Sequence, residues 1–417
     1  MPVCADQLCY VCDASHGCPA TDPVCDADAQ SCGACAMASD CAGFADTPLC
    51  DATSGACVEC LASTDCPDTM PVCDQGACRA CAADSDCDSG ACGDGGMCVT
   101  ADAVLYVSPS GSDAGTCTAA MPCTTIGRAL AIATTQRNHI VLAPGTYEEA
   151  VTIATTTTSA PRVTLDGHGA TIDRTVSSGI ALQITDVDAD IRDVSIAGGV
   201  GPGVVTRTAA VTLEHVQVQV ATRDAIVVGS SLTLHDVVVS HGAIGLDLGP
   251  VSLLVADGLE IYNVGTGITD GTVSSASVQL ANLLIHDTTD LAIDLSMSFG
   301  SISFATVADG GSQESGTHFV LCGSSLALKS SIVWTPAGAP RVTVSGCVQS
   351  NNLVGPSSVS GMPVSDPQFV DENARDYHLM SSSPAIDLST AGPATDIEGT
   401  SRPQGSGYDL GAYEYKP

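Results

Sequence analysis

Six side chains between residues 224 and 294 are of types that carry acid–base chemistry: Asp224, His241, Asp247, Asp270, Asp287 and Asp294. Cleaving a glycosidic bond takes two carboxyl groups about 5 to 9.5 Å apart. One gives a proton, and the other acts on the sugar or on a water. Residues that fall one or two turns apart in a stacked repeat meet that distance automatically, so the same pairs also arise in an acidic scaffold with no activity. A second acidic set lies near the C-terminus: Asp387, Asp396, Asp409 and Glu414. Oxygen-rich clusters of this kind suit calcium. The structural alternative is that Arg402 pairs with one of these carboxylates and pins the surrounding loops. No other cofactor is expected.

What must position these residues is a repeat. V-S-I at Val194 returns as V-Q-V at Val216, V-V-V at Val237, L-E-I at Leu259, L-L-I at Leu283, T-V-A at Val307 and S-I-V at Ile332. The steps are 22, 21, 22, 24, 24 and 25 residues. Each holds short runs of Val, Ile and Leu split by Gly, Asp, Asn and His. A unit of this size cannot bury its apolar face alone and must stack on the next. The reading is all-β: a right-handed parallel β-helix solenoid of roughly nine coils, with neighbours about 4.8 Å apart. Val216, Val237 and Ile285 are expected to point inward. Asp193, His215, Asp236, Asn282, Thr306 and Ser331 precede the strands and form a column of turn residues, because Asn and Asp tolerate the left-handed conformation. His241, Asn263 and Asp287 mark a second face after the strand.

The chain has 417 residues and a formal charge of −34, with lysine only at Lys329 and Lys416. That charge argues against nucleic acid, whose phosphates need Lys and Arg, and against anionic lipid surfaces. No run of 18 apolar residues exists, so no membrane span is read. Of 22 cysteines, 18 precede Thr100, which points to disulfides and an oxidising compartment. They form units Cys12/18/25/32, Cys35/41/50/57, Cys60/66/73/78 and Cys81/87/92/98, with Cys4 and Cys9 ending a broken fifth. Four cysteines allow three pairings. The C-x-x-C pairs at 9/12, 32/35, 57/60 and 78/81 also fit zinc, but the regular cysteines between them and the scarcity of basic residues favour disulfides. Met1 matches Met70 inside a repeat. The expectation is therefore an exported protein whose signal peptide lies upstream, placed outside the cell or at its surface.

These motifs carry resemblances. The cysteine units resemble short repeats of secreted myxobacterial proteins. Residues 103–153, with YVSPSGSD, PCTTI, an amphipathic stretch and LAPGTY, resemble the N-terminal cap of pectin-lyase-like β-helix proteins. That resemblance implies a helix over the first coil, with Cys117 and Cys123 closing the loop between them. RVTLDGHGATID is similar to a first coil of the same superfamily. DPQFVD, SPAID, DIEGTSRP and DLGAYE resemble, in order, the C-terminal region of choice-of-anchor Q proteins. Cys322 and Cys347 lie one late period apart, so they can bridge neighbouring turns. The organisation read is 1–100 cysteine repeats, 101–160 cap, 161–365 coils and 366–417 C-terminal cap region. The last is expected to plug the open end with Phe369, Tyr377, Tyr408, Tyr413 and Tyr415.

Function is less legible than fold. Gly167-His168-Gly169 resembles a tripeptide of polygalacturonase-like hydrolases. The N-T-D, D-D and R-I-K partners are missing, so it reads as a tight turn. The R-x-P-x-x-R pattern of pectate lyases is also missing. The chain has one Trp and five Phe, none of them between residues 161 and 298, where an early cleft would need aromatic faces for sugar. The sequence therefore favours a structural, adhesive or glycan-binding protein without a catalytic site. The alternative is a divergent polysaccharide lyase or glycoside hydrolase. The expected partners are extracellular polysaccharide or surface proteins, and the expected state is a monomer.

Overall fold

The structure is a computed structural model and describes residues 3–5, 8–10, 18–26, 31–93, 95–249, 252–271, 275–308, 319–335, 344–355 and 365–417. Two compact units divide it, Met1–Val104 and Leu105–Pro417.

The first unit is an array of small hairpins closed by disulfides. Leu49–Asp51 pairs with Ala56–Val58, and Val72–Asp74 with Ala77–Arg79. Cys35 bonds Cys50 and Cys41 bonds Cys57. The same first-to-third and second-to-fourth order recurs in Cys60–Cys73, Cys66–Cys78, Cys81–Cys92 and Cys87–Cys98. Little apolar material is available to hold such short elements, so the bridges supply the order. In three of the units an Asp before the second cysteine has a local task. Asp40 accepts from the amides of Ala36 and Met37, Asp65 from Leu61 and Ala62, and Asp86 from Ala82 and Ala83. Arg79 links two repeats, reaching Asp74 at 3.1 Å and Asp86 at 2.9 Å. The thiols of Cys4 and Cys9 lie outside the described side chains.

The second unit is a parallel β-solenoid of about nine turns. Three parallel sheets run along it. Inward columns are continuous in each, for example Ile196, Val218, Val239, Ile261, Ile285 and Val307 in the second sheet. Val, Ile and Leu fill them because branched side chains pack well on a pleated surface. The first sheet's inward column runs from Ile140 through Leu165, Ile191, Leu213, Leu234, Ala256, Leu280 and Ile302 to Leu328, and meets Gln349 in the last coil. At the N-terminal end, helix α1 (Ile126–Ile132) lays Ile126, Ala129 and Leu130 on the core. Its first amides are held by Glu149, from Ile126 N at 2.7 Å and Gly127 N at 3.0 Å. Cys117 bonds Cys123 beside this helix, and Cys322 bonds Cys347 across adjacent late coils.

A left-handed residue turns the chain from first to second sheet in each coil. His168, Asp193, His215, Asp236 and Asn282 take φ of 47°, 49°, 51°, 51° and 50°. In the late coils the position falls on Phe304 and Ser330 rather than on Thr306 and Ser331. The repeat register also shifts there. Ala305, not Val307, stacks on Leu283, and Ile332 points outward beside Thr306.

That outward Ile332 is apolar because the C-terminal segment covers it. Residues 365–417 lie along the outer face of the second sheet, where Leu284, Ile332, Trp334 and Leu353 pack against Phe369, Tyr377, Leu379 and Leu410. Polar ties run over successive coils: Asn282 to Thr395, Thr306 to Ala412, Ser330 to Gly411 and Asn351 to Leu388. The expected aromatic plug over the open end is thus a lateral cover. Outward rows of large apolar side chains needed burial more than the end did.

Candidate functional site

Four of the six candidates lie at or beside the third sheet: Asp247 in strand Ile244–Leu248 and Asp294 in Ile293–Leu295, with Asp224 just before Ile226–Ser240 and Asp270 just after Thr266–Thr269. Asp224, Asp247, Asp270 and Asp294 are 23, 23 and 24 residues apart, close to one coil each. That interval is the signal that joins them. Asp247 and Asp294 share one outward column with Thr269 between them. Two coils at about 4.8 Å put their backbones roughly 9.6 Å apart. Asp270, 1% exposed, accepts from Met297 N and Ser298 Oγ, both at 2.8 Å.

Burial raises the Asp224 carboxyl above the usual range, against the charge of Arg223. Burial also raises Asp247, and the neighbouring charge of Asp224 adds to it. Asp270 is raised by burial and by Asp294, with the bonds from Ser298 and Met297 opposing. Asp224 and Asp247, partly buried and repelling one another across coils, are poised to hold protons or to accept hydrogen bonds from a ligand. Exposed Met297 and Phe299 flank Ser298 in sequence, and Leu253 lies in the same first-sheet column as Phe299.

His241 and Asp287 lie elsewhere. His241 is a left-handed turn residue meeting Tyr262 edge-on at 6.3 Å. Asp287 is tied to His286 and to Arg375 of the C-terminal segment.

The C-terminal acids are engaged in loop structure. Asp396 accepts from the amides of Glu398, Thr400 and Glu414. Asp409 accepts from Asp387 and Tyr415, and Glu414 from Gln404 and Asp409. Asp387 accepts from Gly407. Arg402 lies 3.7 Å from Glu414, donates to the Asp409 and Gly411 carbonyls and covers the Phe304 ring. Among the described residues, three or more His, Cys, Asp or Glu donor atoms fall within 4.8 Å of one another only in cysteine triples, whose members are disulfide-bonded.

Sequence reasoning missed a cleft of about 320 Å³ at the corner between the first and second sheets. Its rod wall is His235, Asp236, Asp257 and Gly258, and its other wall is Thr395 to Gly399. A Cβ on Gly258 would collide with Asp236 Oδ1, so only glycine leaves this floor open. The two walls are some 140 residues apart in sequence, a separation that no local pattern announces.

No helix among the described residues is long and apolar enough to cross a membrane. No family model matches the chain, and no curated protein matches it. Among solved structures, pectate lyase Pel9A matches 75% of this chain and 96% of its own at 15% identity, with a TM-score of 0.52. A rhamnogalacturonan lyase matches 67% of this chain and 95% of its own at 14% identity, with a TM-score of 0.29. The first of these shows that the solenoid has the pectate-lyase-like parallel β-helix fold.

Proposed function

We propose that this is an exported, surface-associated protein that binds polysaccharide along its third sheet. The observation that carries the reading is the outward pair Asp247 and Asp294, two coils apart in one column. Such carboxyls accept hydrogen bonds from sugar hydroxyls, and the neighbouring exposed Phe299 offers a face for a sugar ring. The disulfide-closed repeats support an oxidising compartment. The resemblance of residues 366–417 to choice-of-anchor Q proteins supports the cell surface. The reading requires no cofactor.

A second reading is favoured by the separation of Asp247 and Asp294. Backbones roughly 9.6 Å apart let the two side chains bring their carboxyl groups to the roughly 6.5–9.5 Å used by inverting glycosidases, which leaves room for a water. A raised carboxyl at Asp247 would serve as the acid and Asp294 as the base.

The experiment is incubation of the full chain with a polysaccharide panel, with and without a chelator. Retention on a polysaccharide without products supports the first reading, and Asp247→Asn with Asp294→Asn should abolish that retention. Products of inverted anomeric configuration support the second. Failure to retain or cleave any polysaccharide overturns both.

A further inference from the structure

We infer that the strand Asp376–Leu379 is a proton-dependent latch, which holds the C-terminal segment on the rod in mildly acidic surroundings and loosens as the pH rises. The strand meets a different partner on each face. Tyr377 and Leu379 are buried against the rod, and the Tyr377 ring meets His286 at 5.3 Å. On the other face the His378 ring meets that of Tyr413 at 4.2 Å. An imidazole thus lies on either side of one strand, and each lies between two carboxylates. His286 has Glu260 at 3.1 Å and Asp287 at 3.0 Å. His378 has Asp376 at 2.6 Å and Glu398 at 3.1 Å.

The donor count makes this arrangement sensitive to protons. An ionised carboxylate only accepts hydrogen bonds, and a neutral imidazole carries one N–H. Each ring therefore bonds both of its acids only with a proton on both nitrogens. Charge argues the same way. The acids around the strand are Glu260, Asp287, Asp376, Asp396 and Glu398; against them stand Arg375, which pairs with Asp287, and the two imidazoles. Acids of rod and segment converge here: burial, then the charges of Glu260, Glu398, Asp376 and Asp396, raise the Tyr413 hydroxyl. Burial works against a charged His378, but Asp376 and Glu398 outweigh it and hold the imidazole above its ordinary value. A raised group contributes fully to stability below the unfolded pKa, about 6.5, and the contribution is lost as pH rises through the folded one. Once the imidazole charges are gone, the acids of rod and segment repel one another across the joint. The face released carries Leu284, Ile332, Trp334 and Leu353, an apolar row that associates when uncovered. Alkaline surroundings thus give the rod a self-associating face.

The test is hydrogen exchange on the full chain at about pH 5.5 and 8.5, on either side of the imidazole range and corrected for the intrinsic rate. The interior strand Leu253–Tyr262 is the reference. Protection at Asp376–Leu379 should fall about tenfold between the two pH values while the reference holds. His378→Gln should show the lower protection at both. Asp376→Asn with Glu398→Gln, which keeps the ring and removes its acids, should flatten the dependence as well. Binding of a dye specific for apolar surface should rise with pH in the parent. Equal protection at both pH values overturns the inference. So does a parent-like pH dependence in His378→Gln, or an equal fall in the reference strand, which would mean that the coils open rather than the latch.

Discussion

His286 lies between two carboxylates, with Nε2 3.1 Å from Glu260 and Nδ1 3.0 Å from Asp287. The ring stacks on Tyr262 of the rod at 5.2 Å and meets Tyr377 of the C-terminal segment at 5.3 Å. One imidazole therefore joins a coil to its cover. His286→Ala removes the ring's polar contacts with both acids together with its stacking, and should cost about 1–3 kcal/mol in denaturant unfolding. Hydrogen exchange should rise first in Asp376–Leu379. Parent-like exchange there would show that the apolar contacts hold the segment unaided.

Asp247 should oppose folding at neutral pH. Its carboxyl is raised by burial and by Asp224, so its contribution to stability is full below the unfolded pKa and is lost as pH rises through the folded one. Asp247→Asn should raise the melting temperature at about pH 7, and the gain should vanish below about pH 3.5. An equal gain at both pH values would point to packing rather than charge.

Non-reducing peptide maps should contain Cys60 joined to Cys73 and Cys66 to Cys78. Replacing Cys66 and Cys78 by serine removes a bridge across 12 residues and should cost about 3 kcal/mol. First-to-fourth pairing in those maps would contradict the array.

Val237 is fully buried and stacks on Leu259. Val237→Asp places an unpaired carboxylate in the core, at a cost of several kcal/mol, about 3 or more. Each coil is held by its neighbours, so thermal unfolding should lose several coils together. An unchanged melting curve would mean that the site is not inward.

Deleting residues 366–417 should make the rod aggregate. The cut exposes Leu284, Ile332, Trp334 and Leu353 on one face, a contiguous apolar patch of the kind that associates. Light scattering after size exclusion measures this, and a monomeric truncated rod would contradict it.

The solenoid was legible because its inward columns repeat one residue class at a near-constant step. Val194, Val216, Val237, Leu259 and Leu283 are true equivalents. The reading slipped at Val307 and Ile332, where the C-terminal cover makes outward residues apolar and so erases the alternation that distinguishes the two faces. The cysteine pairing was not legible, because all three schemes share one spacing. Asp224, Asp247, Asp270 and Asp294 could be named as acids from the sequence, but their grouping needed the coil register. The corner cleft needed more, since Asn282 and Thr395 meet only when the chain folds back along the rod.

The inward column of the first sheet has a consequence for how such a rod can change size. Nine apolar residues from Ile140 to Leu328 are followed by Gln349. A duplicated repeat inserted between interior coils meets apolar neighbours above and below, and lengthens the rod by about 4.8 Å. The same repeat added beyond Gln349, whose amide oxygen is already enclosed without a partner, would stack on a polar side chain instead of an apolar one. Growth is therefore permitted from within and stopped at the tip, so duplication can vary the length of the rod while its two ends stay the same.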